Sequence, residues 1–532
     1  MISENSFSSQ GHRFQTTYEI SLVVLFGLCF LLTFILQIIW IKEFYIIPFC
    51  SKLCLVFLFY VITRFRGEYG VYIFLVTVIL SGFSGLLHNI YSWLYLSLCF
   101  LFILLYQSLG TYQKFCFVVN RFRKSPLGIP LLVSGFGVPL LGIANGFIQH
   151  NNRSYLLRDA DGWIFFLIYF CLIGIIRENA QFRKLILVFI YAIISLAFYH
   201  SALYYCYLFG GLEFDFLNTL LYKVLNLGGH LTPNQNGFLR IYTGNGIFLI
   251  YGICFGLMML LHKQKFNFVK WLFFLAVLSH SLIISYTRGF WVAVILAVLL
   301  MFLFLPGHVN KKVFLILGVC LILVAIFSYF IFDKSPLQLM KGEFKRISIS
   351  LLALKKTESI FEITSSQEIL KIPVAGSPTV IKLKQYYALY LHTKEKPLLG
   401  HGFGATLPGK YTFRFSEKDI KCDKVPHIFE AGYGDLLMKV GLVGFCSWFI
   451  LIGAILYQSF LLFRQADSSC KLLIIVIILP LPGLLFTFGT NPYIFSPYGI
   501  IPLVLSAFLV EHMTSMKRLN RSVECEQILE GS

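Results

Sequence analysis

Three side chains in this sequence have the type and placement to handle an anionic leaving group and a proton: Arg240, Arg288 and His427. Arg240 stands in Phe238-Leu-Arg-Ile-Tyr242, just before an apolar run. Arg288 stands in Ser285-Tyr-Thr-Arg-Gly289, at the junction of two apolar runs. His427 follows Pro426 at the head of another. Guanidinium groups grip phosphates through paired N–H donors. An imidazole in the first turn of a helix, near the positive end of the dipole, is held neutral, the form a general base requires. Glu430, three residues further on, shares its face and has the reach to orient the ring. The blander readings are arginines that snorkel to lipid headgroups or cap a helix, and a solvated capping histidine.

A rival signal is Arg158-Asp-Ala-Asp-Gly162. Asp159 and Asp161, spaced acid-x-acid at a membrane surface, suit a divalent metal holding a sugar phosphate; an aspartate near a helix start is equally an ordinary cap. His280 reads as a packing residue, and Asp435 and Lys439, four apart on a helix, as a local ion pair. The sequence has no HExxH, CxxC pair, P-loop or serine nucleophile elbow.

The elements that must position these groups are apolar helices. The chain has 532 residues, 58% hydrophobic and 13% charged, against roughly a quarter charged in a soluble protein. Mean hydropathy is +0.77. The expected class is an all-α polytopic membrane protein with about fourteen spans, near 18–40, 45–63, 70–88, 92–109, 129–148, 162–178, 184–207, 242–262, 270–286, 288–305, 312–332, 433–462, 472–490 and 494–511. With the N-terminus inside, the inner loops carry 20 Lys and Arg and the short outer loops six. That bias places both termini in the cytoplasm. It also explains the net charge of +19 without nucleic acid. The first apolar run lacks a small-residue cleavage pattern, so no cleavable signal peptide is expected. The thirteen cysteines lie mostly in apolar segments and form no disulfide framework.

The expected organisation is a cytoplasmic tail over 1–17, eleven spans over 18–332, a large outer loop over 333–432, three spans over 433–511 and a cytoplasmic tail over 512–532. The loop carries 16 Lys and Arg against 10 Asp and Glu, and reads as a soluble, partly helical lobe holding part of a site against the bilayer. Residues 343–356 have the spacing of an amphipathic helix and 380–393 suggest a Tyr-rich one. Between them and His427 lies Pro397-Leu-Leu-Gly-His-Gly-Phe-Gly404, whose alternate glycines after a proline predict a tight irregular turn rather than a phosphate cradle.

Three segments resemble the O-antigen ligase and O-antigen polymerase superfamily of bacterial membrane glycosyltransferases. Ser285–Trp291 looks like its serine-arginine-glycine segment, Pro397–Gly404 like its proline-glycine turn, and His427 with Gly441-Leu-Val-Gly444 like its histidine and glycine-x-x-glycine helix. Departures are Ile428 where the family often has Asn, Tyr386 where Trp is common, and Lys382 where many members have Arg. Lys382 would hold phosphate as a point charge. The resemblance implies transfer of a glycan from an undecaprenyl-diphosphate carrier to a hydroxyl of lipid A–core, or to a second glycan in a polymerase, at the outer face of the bacterial inner membrane. It implies no cofactor and no metal: Arg288 and Arg240 would hold the diphosphate and His427 would take the acceptor proton, inverting the anomeric centre. The alternative from another class is a transporter or lipid flippase. Against it, the spans show few acids or discontinuous Gly/Pro pairs at mid-membrane, where a transport site forms.

Overall fold

A computed structural model describes residues 46–80, 93–209, 229–233, 239–261, 268–285, 287–304, 378–408, 429, 431–465, 471, 474–475, 478–491 and 493–530. In chain order the helices begin with α1 (Ile46–Phe65), α2 (Gly67–Leu80), α3 (Trp93–Leu109) and α4 (Tyr112–Lys124). Next come α5 (Gly128–Ile148), α6 (Arg153–Asp161), α7 (Ile168–Ile175) and α8 (Asn179–Phe209). An antiparallel hairpin of β1 (Gly229–Pro233) and β2 (Leu239–Thr243) precedes α9 (Leu249–Leu261), α10 (Phe268–Ser285) and α11 (Arg288–Phe304). The C-terminal part holds α12 (Pro378–Thr393), α13 (Gly432–Gln465), α14 (Pro480–Thr490) and α15 (Pro497–Glu530).

The chain is an apolar helical protein, as expected, but the span count differs. Among the described residues five helices are long and apolar enough to cross a membrane: α5, α8, α10, α13 and the Pro497–Met516 part of α15. A sixth is counted if the pair α3–α4, bent by 95°, is one broken span. About fourteen spans is therefore not the number of long apolar helices found; the runs at 18–40 and 312–332 lie outside the described residues. The physical reason is that an apolar run is not always a straight helix. The run at 162–178 is a 3-10 turn, Gly162–Leu167, followed by the eight residues of α7. Eight helical residues rise only about 12 Å, against a hydrocarbon core of about 30 Å. The run at 242–262 starts inside β2, which departs from the all-helical expectation. Within α5, five residues from Val133 to Gly137 form a π-helical turn. The basic inner loop expected between 109 and 129 is instead α4, amphipathic, with Tyr112 and Phe115 exposed and Val118 buried. The expected tail after 511 continues α15 as helix to Glu530.

The chain divides into two compact units: residues 1–123, 167–234 and 239–246 form one, and residues 124–166, 235–238 and 247–532 the other. In the first, Phe59 stacks on Phe100 with centroids 3.8 Å apart. The Tyr72 hydroxyl donates to the Gln181 carbonyl at 2.9 Å. His200 pairs with Thr243 Oγ1 at 2.9 Å, and Asn245 donates to the Ile79 carbonyl at 2.9 Å.

In the second unit α11 lies close on α14: a Cβ on Gly483 would stand 2.5 Å from the Ala293 carbonyl oxygen. Trp448 of α13 meets Phe488 of α14 edge-on at 5.5 Å. The described portion of the 333–432 loop is not a detached lobe. Ala388 and Leu389 of α12, Ala405, Leu407, Phe429 and Met438 form one buried cluster. The Tyr386 hydroxyl also donates to the Gly489 carbonyl of α14. Burial raises the Tyr386 pKa above its usual value, keeping that hydroxyl a donor. The helix expected over 380–393 is α12; the one expected over 343–356 lies outside the described residues.

Candidate functional site

The glycine-rich turn after α12 holds three of the four positive-φ glycines among the described residues. Gly400, Gly402 and Gly404 have φ of 69°, 81° and 78°. L side chains are disfavoured there. The alternation sends the turn flat across its neighbours: a Cβ on Gly402 would lie 2.2 Å from the Gly146 nitrogen of α5. Two asparagines at the end of α5 and just beyond clamp the carbonyls of the turn. Asn145 Nδ2 donates to Leu399 O at 3.1 Å and Gly400 O at 2.9 Å. Asn151 Nδ2 donates to His401 O at 2.8 Å and Phe403 O at 2.9 Å. The structural-turn reading of these glycines fits this geometry.

The turn also repairs a break in α13. Gly441 departs from helix at φ 63°, ψ −169°. In an unbroken helix, the N–H groups of Leu442 and Val443 would donate to the carbonyls of Met438 and Lys439. Here they donate to Pro397 O at 2.9 Å and Leu398 O at 3.1 Å. The Met438 and Lys439 carbonyls accept instead from His401 N at 2.8 Å and Gly402 N at 2.9 Å. Two helical bonds are thus exchanged for four to the turn. These two N–H groups and two carbonyls at the break all find partners, as an apolar surrounding demands.

One turn before the break sits a buried ionic cluster. Lys439 Nζ lies 2.8 Å from Asp159 Oδ1 and 3.0 Å from Asp435, with all three side chains nearly inaccessible. Asp159 Oδ2 accepts from the Gly404 N–H at 2.7 Å, and the ammonium sits 4.8 Å over the Phe495 ring. The pair expected within α13 is real, but its second carboxylate comes from α6. Asp159 thus spends one oxygen on an ammonium and the other on a backbone amide, which weighs against the metal reading of Asp159 and Asp161. The two aspartates also close α6 rather than starting it, and the cap at its start is Asn152, accepting from Ser154 N at 2.9 Å. Asp161 is buried as well.

The other expected site residues are placed as follows. Arg288 is the first residue of α11, at a corner fixed by Thr287 Oγ1 donating to Ser285 O at 3.1 Å and Trp291 Nε1 donating to Leu282 O at 3.1 Å. Its side chain lies outside the described part. Arg240 lies in β2, opposite Thr232 of β1, with a half-buried side chain; it belongs to the other compact unit. Lys382 is on α12, its side chain outside the described part. His427 and Glu430 lie outside the described residues; between them Phe429 is buried in the cluster under the turn. His280 is half-buried on α10.

Sequence reasoning missed Asn145, Asn151 and the trio His392, Glu395 and His401 around the end of α12. The asparagines had a signal: amides at the end of an apolar span need partners. No family model matches the chain, and no curated protein matches it.

Proposed function

We propose that this membrane protein is a glycosyltransferase of the O-antigen ligase type, moving a glycan from an undecaprenyl-diphosphate carrier to a hydroxyl of lipid A–core. The observation that supports the reading is the bonding of Pro397–Gly404 into the break at Gly441. These are two of the three segments on which the resemblance rests, and they hold each other by four backbone hydrogen bonds. In this reading Arg288, at the helix start that follows the Thr287 corner, binds the donor diphosphate and stabilises the charge left as the sugar bond breaks. His427 takes the proton from the acceptor hydroxyl, a role worth roughly 10²–10⁴-fold. Lys382 and Glu430 support the diphosphate and the imidazole. The guanidinium supplies the positive charge that a metal brings elsewhere. A polymerase of the same superfamily would share this chemistry and differ in its acceptor.

A transporter or flippase is the second reading, and one observation favours it. A discontinuous apolar helix beside a buried Lys–Asp cluster is the arrangement from which transport sites are built. Here, however, the turn fills the break and the carboxylates already hold an ammonium, which suits structure better than a pathway.

The test is a lipopolysaccharide gel from a deletion strain carrying Arg288→Ala or His427→Ala. Both variants are expected to insert at normal levels and to leave rough core with carrier-linked polymer accumulating. Core bearing a single repeat unit would indicate the polymerase instead. Wild-type glycan patterns in both would end the enzyme reading. Arg240→Ala in the same strain tests the second guanidinium.

A further inference from the structure

The end of α12 and the middle of the glycine turn bring together two histidines and a glutamate that the function above does not use. Ligating atoms of His392, Glu395 and His401 all lie within 4.8 Å of one another. His392 Nδ1 is 3.1 Å from Glu395 Oε2. The two imidazoles stack, with centroids 3.7 Å apart and planes inclined by 18°. We propose that these three side chains form a binding site for a zinc-class divalent cation, cross-linking the end of α12 to the turn.

The ligand atoms are close, but the stacked rings must turn so that their in-plane lone pairs meet at one ion. Tetrahedral bonds of about 2.0–2.1 Å space the ligand atoms roughly 3.3–3.4 Å apart. The His392–Glu395 edge already has nearly that length. The widest separation, up to 4.8 Å, must close by about 1.5 Å.

The second shell is in place. His401 Nε2 lies 2.9 Å from the His392 carbonyl oxygen. A carbonyl only accepts, so the proton sits on Nε2 and the lone pair on Nδ1, and a backbone partner of this kind fixes a metal-binding imidazole. Both histidines are buried and Glu395 is exposed, so the fourth position faces outward and takes a water. On binding, His392 carries its ring proton on Nε2, which frees Nδ1 and the Glu395 carboxylate to become ligands. Two imidazoles and one carboxylate select Zn²⁺, Co²⁺ or Ni²⁺ over Mg²⁺ and Ca²⁺, which take oxygen sets. The ordinary alternative is an imidazole that caps its helix through Glu395.

The site concerns how the turn is held and stands apart from the glycosyl-transfer reading, so its test is metal content, not activity. Full-length protein without a polyhistidine tag, purified in detergent and stripped by a chelator, is dialysed against Zn²⁺ and assayed by mass spectrometry of the metal and by competition with a chromophoric chelator. One Zn²⁺ per chain is expected, with Co²⁺ giving the intense visible bands of a four-coordinate site. Glu395→Gln, at an exposed position that tolerates change, should weaken Zn²⁺ binding at least tenfold. His392→Asn should remove it. Absence of stoichiometric uptake by the wild type overturns the proposal. So does uptake that is undiminished in both variants, which would put the ion elsewhere.

Discussion

Two regions of this protein bury polar side chains among apolar helices by opposite means. In the unit containing α8 and the hairpin, two described buried pairs are neutral: His200 with Thr243, and Asn245 with the Ile79 carbonyl. In the unit containing α13, one ammonium, two carboxylates and a backbone amide share a single enclosed site. A neutral hydrogen bond nets only about 1 kcal/mol, and losing it is tolerable. A buried charge has no such latitude, because either partner alone is far costlier than the pair. The difference teaches where the molecule is committed. The first region is packed and adaptable, while the second works only when α6, the turn and α13 are all in register.

The largest expected effect breaks the charged region. Lys439→Met strands two carboxylates and should cost about 3–5 kcal/mol, read as a lower midpoint of thermal unfolding in detergent or as loss of the protein from the membrane fraction. Adding Asp159→Asn and Asp435→Asn to Lys439→Met should recover much of the loss. If the triple variant is no better than the single, the cost lies in packing and the comparison fails. Next is Gly402→Ala. The positive φ and the overlap with the Gly146 backbone together should cost roughly 2–4 kcal/mol. Gly453→Ala on α13, where a Cβ meets nothing within 4 Å, should be neutral or slightly stabilising in the same assay. The smallest effect sharpens the neutral side: Thr243→Val should cost about 1 kcal/mol. A loss as large as that of Lys439→Met would erase the distinction.

How much of this was legible follows from the range of each interaction. The turn at Pro397–Gly404 was readable because glycine spacing is a local property of backbone conformation. The Asp435–Lys439 pair was readable because four residues on a helix is one turn. The partnership of Lys439 with Asp159 spans 280 residues, and no local pattern encodes it. From sequence, Asp159 is open to a metal-ligand or a helix-cap reading, and its role as a counter-ion to Lys439 is not visible. The hairpin carrying Arg240 was missed because its short strands run into an apolar stretch that looks helical. The span count failed for a related reason. Hydropathy measures how greasy a segment is, whereas a crossing also needs unbroken helical rise, which α7 and α9 lack. The break in α13 went unnoticed because Gly441-Leu-Val-Gly444 is an acceptable helical sequence; only the arrival of the turn makes Gly441 a corner.

That corner carries a consequence for how the protein assembles. Its four backbone bonds are reciprocal: the helix completes the turn, and the turn completes the helix. Neither piece is a finished element until the other docks, although some forty residues of chain separate them in order of synthesis. When His401 and Gly402 emerge, Asn145 and Asn151 are already made and can hold the carbonyls of the turn, but the two N–H groups wait for α13. The seam between turn and helix is thus a clasp that closes only after α13 has followed.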